Sequence, residues 1–183
     1  MSDIQEPHQS ELVNLLDHYQ SKRYEDAEKL ALNLTEKFPT HPFGWKVLGA
    51  IFNQTNRLSE GLHACQKSVL LEPENAEAHN NLANTLQKLG RLEDAEATYR
   101  QAITLKSNYA EAHNNLGNIL KEFERLEDAE ASYRKAIALK INYAEAHNNL
   151  ANTLLKLGRL EEAEASYRRE IRLNLAQPEE SNP

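Results

Sequence analysis

Excess basic charge is missing from this chain: 21 Lys and Arg stand against 28 Asp and Glu, giving a formal net charge of −7 and a pI near 5.5. A basic stripe that displaces counterions from phosphates is therefore not expected, which argues against nucleic acid and anionic membrane surfaces as partners. Cysteine is nearly absent; the single Cys65 can make no internal disulfide and no thiolate cluster. It lies on an apolar helical face and reads as a small buried hydrophobe rather than a reactive thiol. Aromatic residues are scarce at 7%. No apolar run approaches the roughly 18 residues a membrane span needs. The start, Met1 to Ser10, is polar and acidic, without the basic and apolar parts of a signal peptide. A cytoplasmic location is the expectation. What remains is rich in Ala, Leu, Glu, Lys and Arg, a composition that favours helix.

Internal repetition decides the architecture. Tyr109–Asn118 reads YAEAHNNLGN and Tyr143–Asn152 reads YAEAHNNLAN. His79, His113 and His147 are 34 apart (113 − 79 and 147 − 113), as are Ala95, Ala129 and Ala163, and Tyr99, Tyr133 and Tyr167. A divergent copy carries Trp45, Leu48, Gly49, Phe52, Gly61, Cys65 and Pro73 at the equivalent positions. Earlier still, Arg23–Glu28 mirrors Arg125–Glu130, with Leu12, Leu15, Leu16 and Tyr19 forming a first helix before a slightly shorter turn. Five helix pairs result, at about 10–39, 42–75, 76–109, 110–143 and 144–177. A polar segment 1–9 precedes them and a disordered tail 178–183 follows.

Within the copy starting at Ala76, apolar residues fall at Leu82, Ala83 and Leu86, then at Leu92, Ala95, Tyr99, Ala102 and Ile103. That spacing marks two amphipathic helices. Gly90 between them can adopt the left-handed conformation that ends a helix. Ala83 and Ala95 allow close backbone approach, and Tyr99 fills the space beside them. One hairpin cannot bury its own apolar face, so the hairpins must stack. The expected fold is all-α, a right-handed α-solenoid of stacked antiparallel helix pairs. Glu124 stands where Gly90 and Gly158 do, which implies a left-handed non-glycine residue costing about 1 kcal/mol. Ser107 and Ile141 replace the closing proline, so those junctions are expected to be smoother and more helical. In the last pair Glu170 replaces Ala102 and Ala136, and Arg172 replaces Thr104 and Ala138. A polar outer face suits a terminal repeat, so the array is expected to stop there; a fragment of a larger protein is the competing reading.

Trp45-Lys46-Val47-Leu48-Gly49 and Pro73 resemble the first and last landmarks of the tetratricopeptide repeat (TPR), and the resemblance spans roughly residues 10–177. It implies a TPR superhelix that binds a protein or peptide in a concave groove lined by first helices. Helical geometry sorts that surface: with Leu116 at zero, Asn114, Asn118 and Asn115 fall at about 160°, 200° and 260°, away from the buried arc. The expected groove is a row of carboxamides: Asn80, Asn81 and Asn84; Asn114, Asn115 and Asn118; Asn148, Asn149 and Asn152. Each amide offers a donor and an acceptor, as a peptide backbone does. Asn81, Asn115 and Asn149 are similar to the asparagine ladder in the TPR arm of O-linked GlcNAc transferases, which by that resemblance contacts substrate backbone; Val47 breaks the ladder. TPR domains that clamp a C-terminal carboxylate use Lys and Arg here, whereas Glu77, Glu111 and Glu145 occupy one such site and only Lys46 is basic. Lys88 and Lys156, with Glu122 between them, give the groove a mixed sign.

Chemistry is not expected. Equivalent points on packed helices are about 8–10 Å apart, too far for three repeated histidines to share one metal ion at about 2 Å. There is no phosphate loop and no His-Glu-x-x-His pair. Acidic pairs such as Glu127-Asp128 and Glu161-Glu162 begin second helices, where they complement the helix dipole. The expectation is a non-enzymatic adaptor or scaffold without cofactor or metal, with self-association through an end helix open. One alternative is the recognition arm of a glycosyltransferase-like enzyme whose catalytic domain is absent from this chain. An RNA-binding helical repeat is disfavoured by charge.

Overall fold

The protein is described by a computed structural model that covers residues 6–176. The tail at 178–183 and the first five residues of the segment 1–9 lie outside the described residues. Those described contain ten α-helices and no strand: α1 Gln9–Gln20, α2 Tyr24–Lys37, α3 Pro42–Gln54, α4 Leu58–Leu71, α5 Ala76–Lys88, α6 Leu92–Leu105, α7 Ala110–Glu122, α8 Leu126–Leu139, α9 Ala144–Lys156 and α10 Leu160–Ala176. Paired in order they form hairpins 1 to 5. The chain divides into two compact units, Met1–Leu105 and Lys106–Pro183.

Each unit is built by the same stacking. In the first, α1, α3 and α5 each pack on their own second helix, and α2 and α4 pack on the first helix of the following hairpin. In the second, α7 and α9 pack on α8 and α10, and α8 also lies against α9. First helices touch first helices as well, α1 with α3, α3 with α5, and α7 with α9. This is all-α solenoid packing.

Local sequence explains the hairpin turns. Lys22, Asn56, Gly90, Glu124 and Gly158 all take positive φ, between 56° and 74°. They are evenly spaced (56 − 22 = 90 − 56 = 34), so the first turn has the same length as the others, not a shorter one. After each comes an arginine whose N–H reaches back to a helix carbonyl: Arg23 to His18, Arg91 to Leu86 and Arg159 to Leu154, at 2.9 Å each. This closes the helix end by the bond pattern of a Schellman cap. Arg57, Arg91, Arg125 and Arg159 then pair with a carboxylate three residues on, at Glu60, Asp94, Asp128 and Glu162. Each arginine thus ends one helix and starts the next.

The junctions at Ser107 and Ile141 are not more helical, contrary to expectation. Tyr109 and Tyr143 donate to Lys106 and Lys140 at 3.1 Å, just as Asn75 does to Glu72 beside Pro73. A backbone hydrogen bond closes the turn, so proline is dispensable there.

Small residues set the interhelical distance. Ala27, Ala95, Ala129 and Ala163 are fully buried. Hairpins 1 and 2 share a core of Leu15, Leu34, Val47, Leu48, Ile51 and Phe52. In the second unit Leu116, Ile119, Leu120 and Tyr133 do this work, with Leu150 and Leu154 beside them.

Candidate functional site

The first helices of each unit carry most of the predicted site residues, but not all of them face outward. On α5, Glu77, Asn81, Asn84 and Lys88 stay exposed or half-buried, while Asn80 is only 6% exposed. On α7, Asn115 and Asn118 are half-buried and Asn114 has no exposed surface. On α9, Asn148 and Asn149 are half-buried and Asn152 is exposed. The outward placement of Asn80 and Asn114 is therefore corrected. A helical wheel assumes one covered side, whereas a first helix here is covered by its second helix and again by neighbouring first helices.

Asn114 is an internal connector. Its Nδ2 donates to Glu145 Oε1 at 3.0 Å, and its Oδ1 accepts from Asn149 Nδ2 at 3.1 Å. Both bonds run from α7 to α9. A buried amide so bonded satisfies its polar atoms, the condition for burying it at all. Asn80 differs: its Oδ1 is buried with no hydrogen-bond partner among the described residues.

A second set of amides is held by tyrosines, a role sequence reasoning missed. Tyr99 Oη donates to Asn84 Oδ1 at 2.6 Å, Tyr133 Oη to Asn118 Oδ1 at 2.8 Å, and Tyr167 Oη to Asn152 Oδ1 at 2.8 Å. In every case the tyrosine lies on the second helix of the same hairpin, 15 residues on. The Asn118 amide group is thereby turned with its NH2 away from the phenol. Burial, with the nearby Glu145 and Glu122 charges, pushes the Tyr133 hydroxyl well above its ordinary pKa, so it remains a donor. The signal in the sequence was the pairing of Asn with Tyr 15 residues later; where that position is Leu16 or Ala50, the partner is Ala31 or Cys65.

The predicted groove lysines join hairpins. Lys46 Nζ meets Glu77 Oε2 at 3.3 Å, Lys88 Nζ donates to the Asn53 carbonyl at 2.6 Å, and Lys156 Nζ meets Glu124 Oε1 at 2.8 Å. Their charge is largely committed within the protein. In hairpins 1 and 2 the corresponding surface is apolar, with Val13 47% and Leu16 37% exposed and Phe43 half-buried.

The repeated histidines tie down the loop that precedes each of them. His79, His113 and His147 place Nε2 at 2.8, 3.1 and 3.3 Å from the carbonyls of Pro73, Ser107 and Ile141. Trp45 Nε1 makes the same bond to Pro39 at 3.0 Å, also six residues back. The position asks for a planar ring bearing an N–H donor. Among the described residues no three His, Cys, Asp or Glu side chains gather as metal ligands. Cys65 is buried, its thiol 3.5 Å from the Thr85 hydroxyl, and burial pushes its pKa up to about 11. No described helix is long and apolar enough to cross a membrane.

Comparison with known proteins places this geometry. Two family models described as tetratricopeptide repeat match residues 74–142 and 114–177, together more than half of the chain. No curated protein matches. Among solved structures, PilF of Pseudomonas aeruginosa is similar at 19% identity with a TM-score of 0.82, over 89% of this chain and 74% of that one. A thermophilic TPR protein of Thermus thermophilus shares 23% identity over 92% of each chain, with a TM-score of 0.78. A crystal structure of MamA shares 18% identity over 87% of this chain and 93% of that one, at 0.75. At such identities the likeness speaks for the fold. With the 34-residue period, the left-handed turns and the family matches together, the chain belongs to the tetratricopeptide repeat family.

Proposed function

We propose that this protein is a non-enzymatic interaction module that holds an extended peptide segment of a protein partner along its first helices, as an adaptor or scaffold does. The observation that carries this reading is the fixing of carboxamides by tyrosine hydroxyls, two of them on buried rings. An amide whose oxygen is already bonded loses little rotational freedom when its NH2 meets a ligand, and preorganised donors bind with less entropy loss. Asn84, Asn118 and Asn152 have their oxygens held in this way; the Asn152 NH2 also donates to Asn148 at 2.9 and 3.0 Å, so Asn118 is the clearest case of an NH2 turned toward a ligand. Asn81 and Asn115 lie beside them on the same helices. Such donors suit peptide carbonyls, which any sequence supplies, so selectivity would come from elsewhere on the partner.

The test is a triple variant, Asn81→Ala, Asn115→Ala and Asn149→Ala, assayed with the wild type on an array of extended peptides. The wild type should retain a set of peptides that the variant loses. Because Asn149 also bonds Asn114, a stability loss of about 1 kcal/mol is expected and is tracked by circular dichroism. A folded triple variant with the same retained peptides would remove these amides from the binding role. The alternative, a glycosyltransferase recognition arm, uses Asn81, Asn115 and Asn149 in the same manner. It predicts in addition that a catalytic domain accompanies this chain in the natural product.

A further inference from the structure

A cleft of about 340 Å³ lies between α8, α9 and α10, walled by Ile137, Ala138 and Leu150 on one side and by Ser166 and Arg169 on the other, with His147 at its edge. It shares no residue with the carboxamide surface. Arg134 also lines it, but its charge is spent in a ring of four. Arg134 meets Glu130 at 2.8 Å and Glu162 at 3.0 Å, and Arg159 meets Glu130 at 2.6 Å and Glu162 at 2.7 Å. Two cations and two anions leave that ring neutral.

Arg169 is different. Its polar contact is a 3.4 Å bond from Nη2 to Asn142 Oδ1, a neutral amide, and no carboxylate among the described residues pairs with it. Its charge is felt across the cleft: burial first, then Arg169, holds the His147 imidazole below its ordinary pKa. The cleft therefore has a net positive head, a hydroxyl donor at Ser166 and a hydrocarbon wall. In the first unit the equivalent positions on α4, α5 and α6 keep the histidine, His79, but have Gln66 and Gln101 in place of the arginines (134 − 66 = 169 − 101 = 68). The cationic version is not required by the fold.

We propose that this cleft binds a carboxylate carried on a small apolar body. A guanidinium presents parallel N–H donors that match the two oxygens of a carboxylate. Ile137, Ala138 and Leu150 take the hydrocarbon part, as apolar walls do in small-ligand sites. A bare, strongly hydrated anion gains nothing from those walls and would lose water against them.

The probe is hexanoate, titrated into the full chain while the histidine ring signals are followed by NMR across pH. Hexanoate should bind saturably and move the His147 titration upward, because an anion beside Arg169 offsets the charge that now depresses it. Arg169→Gln, the residue already tolerated at position 101, should weaken binding on the order of tenfold, the loss of one charge-assisted contact. Hexanol binding as well as hexanoate would show that the cleft reads hydrocarbon alone and would overturn the proposal. So would inorganic phosphate binding equally well, or an Arg169→Gln protein with a matching thermal melt and unchanged affinity.

Discussion

Hairpins 1 and 2 and the carboxamide hairpins 3 to 5 have the same backbone plan but opposite surfaces. In the first pair, the outward positions of the first helices carry Val13, Leu16, Phe43 and Ala50, and the inner positions hold an apolar cluster around Leu48, Ile51 and Phe52. In hairpins 3 to 5 those outward positions are Glu and Asn, and a tyrosine, buried in hairpins 3 and 4 and half-buried in hairpin 5, crosses each hairpin to grip an amide. The turns, the arginine that ends each one and the ring that ties each junction are common to both. Hairpin geometry is thus fixed by a few backbone and small-residue positions, and the outward surface is left for other uses.

The sharpest way to break this comparison is to disturb what the two regions share. Ala129 has no exposed surface, and its counterpart in hairpin 2 is Gly61, where a Cβ would lie 3.3 Å from Phe52 Cβ. The smaller residue at 61 faces the larger Phe52, and Ala129 belongs to a hairpin with Leu120 in that place, so volume is conserved. Ala129→Leu overfills this contact and should destabilise by about 3 kcal/mol, read by urea denaturation. A wild-type midpoint would mean that the helices are not in close contact there. A smaller effect should follow from removing what the regions do not share. Tyr133→Phe makes hairpin 4 resemble hairpin 2 by leaving Asn118 without its phenol partner. The expected cost is about 1 kcal/mol, read by the same urea denaturation; an unchanged midpoint would show that the phenol bond adds nothing to hairpin 4.

The period, the two-helix unit, the left-handed slots and the burial of Cys65 were legible in the sequence because each depends on local spacing or on one residue's chemistry. The carboxamide surface was legible only in part. A wheel drawn for one helix placed Asn114 at the outward pole, yet α7 and α9 approach closely enough that Asn114 is sealed between them and bonds Glu145 and Asn149. Burial of that kind depends on two helices 34 residues apart, and nothing in either helix alone announces it. Likewise Lys46, Lys88 and Lys156 counted as groove charge in the sequence, whereas long side chains reach a neighbouring hairpin, the next for Lys46 and the preceding one for Lys88 and Lys156, and settle there. The tyrosine bonds could have been found, since a polar tip on an otherwise buried ring needs a partner, and an asparagine recurs 15 residues before each of the three tyrosines.

The smallest expected effect compares one turn position across the two regions. Lys22 in hairpin 1 and Glu124 in hairpin 4 both hold φ near 57°, at 58° and 56°, where Gly90 and Gly158 sit without strain. Replacing either by Gly removes a steric cost of about 1–2 kcal/mol but restores some freedom to the unfolded chain, at about 0.5–1 kcal/mol. Lys22→Gly should therefore stabilise by about 0.5–1 kcal/mol. Glu124→Gly also gives up the exposed 2.8 Å pair with Lys156, a contact of a few tenths of a kcal/mol that salt screens. Its gain should be smaller than that of Lys22→Gly at low salt, and the two should converge as salt rises. Thermal melts of both variants at two ionic strengths measure this directly. Equal gains at every ionic strength would show that the Lys156 bridge adds nothing to the stacking of hairpins 4 and 5.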